Sequence, residues 1–225
     1  MEKDLKVRLI SYSKPARGMY DEGLTDAQEL IAFCARVSNP SNQGNDNYAG
    51  LLKYCIKHNH WSVFEQSSMS LEIETNRGIA AQILRHRSFT FQEFSQRYAD
   101  PTKELNFEYR EARLQDEKNR QNSISVDDDI LQNDWKFHQS RVISAAKEAY
   151  TWAVKNGIAK EQARAVLPEG NTVSRLYMNG TLRSWIHYIQ LRSANGTQKE
   201  HIEIAKKCAE VIAKVFPMAN EFVSQ

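Results

Sequence analysis

"RHRSFTFQEFSQR", residues 85–97, sets two arginines around a histidine and then alternates aromatic, carboxylate, hydroxyl and guanidinium groups. Neither common fate of a segment suits it. A solvated strip has no use for Phe89, Phe91 and Phe94, and a core strand does not take Arg85, Arg87, Glu93 and Arg97. Read as extended chain over 92–98, side chains alternate faces, so Glu93, Ser95 and Arg97 point the same way at steps of about 7 Å. An acceptor, a donor-acceptor and a forked cation in a row match the length of a nucleotide. Arg97 suits the phosphate, because a guanidinium holds an oxyanion through two parallel hydrogen bonds. Arg85, His86 and Arg87 concentrate positive charge that repels itself unless an anion is near. A basic surface patch beside an amphipathic strand is the plainer reading of the same residues.

Working outward, "SMSLEIET" (68–75) alternates Met69, Leu71 and Ile73 on one face and predicts a strand. Asn76 then caps a helix over 77–87 that delivers the cationic stretch at its C-terminal end. Residues 7–13 predict a first strand. A helix follows over 25–37, with Thr25 as N-cap and Gln28 three residues on, and another over 48–58. From about 100 to 125 the chain turns polar, and exposed helix and long loop both fit. Asp127, Asp128 and Asp129 open a long helix to Asn156, their charges favourable at its positive end, and Gly157 stops it. A short helix over 160–168 ends at Pro168, a strand covers 172–180, and helices cover 181–194 and 198–216. No repeat or linker interrupts the pattern. The expectation is an α+β protein with a small sheet, a single domain over residues 1–225 with a polar insertion at about 100–126.

Composition narrows the function. With 225 residues, 41% hydrophobic and 26% charged, the chain is long enough for a sizeable core. A net charge of +2 argues against a general polyanion binder, so any anion site is local. The start, "MEKDLKVRLI", has no apolar leader core, and no apolar run approaches the roughly 18 residues of a membrane span, which places the chain in the cytoplasm. Cys34, Cys55 and Cys208 lie far apart without a CxxC, among apolar neighbours at helical spacing. Buried free thiols are expected, neither a disulfide framework nor a zinc site.

Two further stretches carry chemistry. In "TLRSWIHYIQLRSANG" (181–196), Leu182, Trp185, Ile186 and Ile189 form a buried helical stripe, and Arg192 falls on that same stripe. A buried guanidinium is costly alone, so Arg192 must meet an anion or a strong acceptor, a structural salt bridge included. Arg183 and His187 stand four apart, able to touch one ligand or to form a bare surface pair. In "HNHWSVFEQ" (58–66), His58 and His60 have no carboxylate or thiol at a familiar ligand spacing, so no metal site is read there. GxGxxG, P-loop and GxSxG devices are missing.

Arg85-His86-Arg87, seven residues, then Ser95-Gln96-Arg97 resembles the signature of the flavin-dependent thymidylate synthases. The likeness extends to "HWSVFEQ" upstream and to "ARAVLPEG" and "LRSWIHYIQLR" downstream, about residues 48–205 in all. It implies a small, mostly antiparallel sheet wrapped by helices. It also implies reductive methylation of deoxyuridylate (dUMP) to dTMP, with methylenetetrahydrofolate as carbon donor and FAD reduced by NADPH. By position it would put His60, Ser62, Arg85, His86 and Arg87 at the flavin, with Glu93, Arg183 and His187. Deoxyuridylate would be held by Gln82, Arg85, Glu93, Ser95, Gln96, Arg97 and Arg164. Arg192 would favour ionisation at N3 of the uracil, as the catalytic residue. A homotetramer with shared sites is implied, and no enzyme cysteine attacks the uracil; no metal, nucleic-acid or membrane partner is expected. Two rivals remain: a single-stranded nucleic-acid-binding domain using the cations and aromatics of 85–97, and a flavin enzyme of other specificity. Both leave the matching Arg164 and Arg192 segments unexplained.

Overall fold

The computed structural model describes residues 7–22 and 24–223, so the leader reading of residues 1–6 falls outside the described residues. Among the described residues six strands run in chain order: β1 (Val7–Tyr12), β2 (Ser68–Asn76), β3 (Thr90–Glu93), β4 (Arg113–Gln115), β5 (Ser123–Ser125) and β6 (Val173–Thr181). The helices are α1 (Ala27–Ala35), α2 (Tyr48–Lys57), α3 (Arg77–Ile83), α4 (Pro101–Glu104), α5 (Asp129–Lys155), α6 (Lys160–Ala163), α7 (Leu182–Ser193) and α8 (Lys199–Ile212). Four strands form one sheet in the order β1-β2-β6-β3, every neighbour antiparallel. This is the expected α+β architecture.

The alternation that predicts β2 also builds the core. Met69, Leu71 and Ile73 of β2 and Leu176 and Met178 of β6 are buried in one cluster with Trp185, Ile186 and Ile189 of α7 and Ile204, Ala205 and Cys208 of α8. Each Leu, Ile or Met side chain removed from water contributes about 1.5–3 kcal/mol before chain entropy is counted. Trp185 fills the centre and still satisfies its indole, whose Nε1 donates to the Met69 carbonyl at 3.1 Å. The other sheet face is polar: Arg8 and Tyr177 both donate to Glu72, and Arg175 donates to Glu74.

Several expectations shift. The N-cap of α1 is Asp26, one residue beyond Thr25, because its carboxylate accepts from the amides of Gln28 and Glu29 at 2.7 and 2.9 Å. Glu29, not Gln28, closes the capping box and also accepts from the Thr25 hydroxyl at 2.8 Å. α3 ends at Ile83, so the Arg-His-Arg stretch leaves the helix and turns. Segment 100–126 is neither one helix nor a plain loop: it holds the short α4 and the β4–β5 hairpin. Its approach is tied to α5, where the Gln139 amide meets both N–H and C=O of Arg110 and Gln132 does the same for Ala112. Cys55 and Cys208 are buried free thiols, but Cys34 is only half-buried. No helix among the described residues is long and apolar enough to cross a membrane.

Candidate active site

Asn76 ends β2 and starts α3. Its side-chain oxygen accepts from the Ile79 amide at 3.1 Å, while its nitrogen donates to Glu108 at 2.7 Å. After α3 the chain turns through residues 84–88. Arg85 and Arg87 face solvent with no ion-pair partner among the described residues. Phe89 is buried edge-on against Trp185, ring centroids 4.8 Å apart, which anchors the turn to the core.

Between the two arginines, His86 points inward to α7. Arg192 Nε donates to His86 Nε2 at 2.9 Å. A ring nitrogen that accepts carries no proton, so His86 is neutral with its proton on Nδ1. Burial, reinforced by the Arg192 charge, pushes its pKa down to about 4. Arg192 thus meets the strong acceptor its place on the stripe demands, and that acceptor carries no charge. Among the described residues no carboxylate pairs with it. Behind His86 lie Tyr188, at 5.0 Å between ring centroids, and His201, at 6.4 Å. His201 touches Gln82, and burial pushes its pKa down to about 3, with the charge of Arg192 adding to the effect.

β3 stops at Glu93, which corrects the extended row over 92–98. Tyr98 and Ala99 amides both return to the Ser95 carbonyl at 3.1 Å, so 95–98 is a turn and Ser95 and Arg97 leave the line of Glu93. Glu93 Oε1 accepts from Ser174 Oγ at 2.7 Å and from Arg77 at 3.3 Å, while Arg97 pairs with Glu161 at 3.0 Å. Beside Glu93 opens a cavity of about 320 Å³ lined by Arg77, Gln96, Arg164, Ala165, Leu167 and Glu169. Gln96 is buried, and its Nε2 has no hydrogen-bond partner. Two cations and an orphaned donor around one cavity fit an oxyanion such as a phosphate.

The remaining predicted residues gather at the start of α7. Ser62 sits in a 3₁₀ turn, Trp61–Gln66, preceded by the exposed His60. His187 packs on Trp61 with centroids 4.5 Å apart, and burial, then Arg183, lowers its pKa. Arg183 pairs with Glu65 rather than standing free beside His187. His60 lies 6.2 Å from His58 between ring centroids, and no group of three or more His, Cys, Asp or Glu among the described residues could hold a metal ion. The site residues therefore fall into three neighbourhoods, around Arg192, around Glu93 and around Trp61.

Sequence reasoning missed Arg77, Ser174, Tyr188 and His201. His201 had a signal: it precedes Ile204, Ala205 and Cys208 by helical steps and so is a polar residue on an apolar stripe, as Arg192 is. Ser174 had none, since a small hydroxyl in a strand is ordinary.

Residues 22–218 match the family described as thymidylate synthase complementing protein. The chain is 52% identical over 214 residues to a probable flavin-dependent thymidylate synthase of Paramecium bursaria Chlorella virus 1, covering 95% of this chain and 96% of the relative. It is 50% identical over 213 residues to the flavin-dependent thymidylate synthase of Synechocystis sp., with the same two coverages of 95% and 96%. Among solved structures it is similar to the UMP/dUMP methylase PolB of Streptomyces cacaoi bound with 5-Br dUMP, with a TM-score of 0.77 and 26% identity over 98% of this chain and 95% of that one. Fold and family match together define an enzyme acting on a pyrimidine nucleotide. The chain belongs to the flavin-dependent thymidylate synthase family, enzymes that make dTMP from dUMP with FAD.

Proposed function

We propose that this chain, acting as one domain, methylates dUMP reductively to dTMP with 5,10-methylenetetrahydrofolate as carbon donor, FAD as cofactor and NADPH as its reductant. The observation that carries the reading is the Arg192–His86 hydrogen bond at 2.9 Å. A guanidinium fixed on an apolar stripe by a neutral acceptor keeps its full charge for a ligand. Placed at the uracil, that charge favours the N3 anion, because a preorganised cation in a poorly hydrated site acts strongly.

Other residues have matching tasks. Glu93 is pinned through one oxygen by Ser174 and Arg77, which leaves the other to accept from the nucleotide. Arg164 and Gln96 receive the 5′-phosphate in the cavity, and Ser95 and Arg97 lie on the turn at its side. Gln82 and Arg85 complete the nucleotide contacts. The exposed Arg85 and Arg87, without an ion-pair partner among the described residues, suit the diphosphate of the flavin; His60, Ser62, Arg183 and His187 supply the second wall around Trp61. FAD, when bound, supplies the reducing electrons that turn the transferred carbon into a methyl group. We place the enzyme in the cytoplasm as a homotetramer, because three separate neighbourhoods of site residues suit a site completed by other subunits.

The test is the absorption spectrum of the purified protein, followed by anaerobic bleaching with NADPH and reoxidation with dUMP plus methylenetetrahydrofolate. A flavin spectrum that returns only with both substrates supports the reading. Colourless protein that takes up no added FAD would overturn it and return Arg85, Arg87 and Arg97 to a nucleic-acid role.

A further inference from the structure

His201 is fully buried in α8, and both of its ring nitrogens are engaged. Nδ1 lies 3.2 Å from Gln82 Oε1, and Nε2 lies 3.2 Å from the hydroxyl of Tyr188, itself buried. Gln82 Nε2 in turn donates to Gln198 Oε1 at 3.0 Å. With the Gln82 oxygen facing His201, each link has one direction. The Gln82 carbonyl can only accept, so His201 carries its proton on Nδ1. The Nε2 lone pair is then filled by the Tyr188 O–H.

We propose that Tyr188 and His201 form a buried relay that fixes the orientation of the Gln82 side-chain amide for the nucleotide. The inference rests on the reading above that Gln82 contacts dUMP. An amide turned over by 180° occupies nearly the same volume, so packing alone does not distinguish its oxygen from its nitrogen. The relay does. Turning Gln82 over would put an N–H against Nδ1 and drive the His201 proton to Nε2. The Tyr188 hydroxyl would then have to accept that proton's bond, and its own O–H, buried, would face no acceptor among the described residues. That penalty holds Gln82 in one orientation. One carbonyl lone pair and one N–H of Gln82 remain for the ligand. Tyr188 and His201 are therefore positioning residues, acting on dUMP through Gln82.

Two measurements on the FAD-loaded enzyme test this. Nitrogen-15 NMR of histidine-labelled protein, with His201 assigned by its loss in His201→Asn, should show a neutral Nδ1–H tautomer; an Nε2–H tautomer in the wild type overturns the relay. The second measurement is a double-mutant cycle on dUMP affinity with Tyr188→Phe and Gln82→Ala. Tyr188→Phe alone should weaken dUMP about tenfold, the scale of one hydrogen bond in a buried site. In the Gln82→Ala background it should have no further effect. If Gln82→Ala weakens dUMP but Tyr188→Phe does not, or if the two losses add, the relay fails while the role of Gln82 stands. If Gln82→Ala leaves dUMP affinity intact, it is the reading of Gln82 that fails, and the role given to the relay fails with it.

Discussion

Arg192 donates from Nε to Nε2 of His86 at 2.9 Å, a cation held by an imidazole that must stay neutral to hold it. The pairing has a consequence for pH. His86 has a folded pKa of about 4 against an ordinary 6.5, and His201 about 3 against the same value. In both, the folded state binds its proton less readily than the unfolded chain. Stability is therefore complete above the unfolded pKa and falls as pH drops from 6.5 towards 4, with His201 extending the loss to about 3. Urea midpoints should decline as pH is lowered below 6.5. Above about pH 5, where most carboxylates are still ionised, the slope should shrink in His86→Asn. An equal slope in wild type and variant would mean that His86 is not held neutral.

Arg192→Lys keeps the charge and loses the fork. An ammonium on a flexible stem cannot donate to His86 and face a nucleotide along fixed directions at once. The proposed role predicts a fall in dUMP-dependent turnover of at least about a hundredfold, the scale of one preorganised electrostatic contact. Flavin content and its bleaching by NADPH should be retained. Loss of flavin together with turnover would place Arg192 at the cofactor instead.

Ser174→Ala removes the shorter of two bonds that pin Glu93, the one at 2.7 Å, and leaves Arg77 at 3.3 Å. The carboxylate gains freedom to rotate. If Glu93 contacts dUMP through its free oxygen, KM for dUMP should rise about tenfold, with thermal stability nearly unchanged because a serine hydroxyl is small. Steady-state kinetics at saturating folate measures this. A KM equal to wild type would show that Arg77 alone orients Glu93.

Why some of this was readable in the sequence and some was not follows from distance along the chain. β2, β6 and α7 declare themselves through periodicity, which depends only on which residues share a face. Arg192 was legible for the same reason, as a cation on an apolar stripe. Its acceptor was not, because His86 lies 106 positions away and only the packing of α7 against the turn after α3 brings it there. The end of β3 was misread because alternation continues through Ser95 and Arg97, while the Ser95 carbonyl closes a turn on Tyr98 and Ala99. The polar segment 100–126 has no periodicity of its own. Its path is set by Gln132 and Gln139, side chains of a helix that starts after it.

Gln139 offers a measure of how firmly that segment is held. Its buried amide accepts from the Arg110 N–H at 2.7 Å and donates to the Arg110 carbonyl at 2.8 Å, and Asn171 also donates to it at 2.9 Å. Gln139→Ala strands these groups and should cost about 2–4 kcal/mol, since each buried polar group left without a partner costs about 1–3 kcal/mol. Urea denaturation gives the total, and hydrogen exchange at the Arg110 amide locates it. A cost below about 1 kcal/mol, with that amide still protected, would mean the segment is held by its ion pairs instead.

Gly180 tests the anchor of the cationic turn. A Cβ at this position would lie 2.5 Å from Cδ1 and 2.7 Å from Cε1 of Phe89, well inside contact distance. Phe89 has little room to yield, because its ring meets Trp185 edge-on at 4.8 Å and Tyr188 at 6.0 Å between centroids. Gly180→Ala should therefore destabilise the protein by about 1–3 kcal/mol through overpacking. The displaced ring lies three residues beyond His86, whose carbonyl accepts from the Phe89 amide at 3.2 Å, so the Arg192 contact should loosen with it. The expected signature is a lower melting temperature together with weaker dUMP binding. Phe89→Leu in the Gly180→Ala background relieves the collision and should recover most of the stability. Failure of that rescue would locate the strain in the β6 backbone rather than at Phe89.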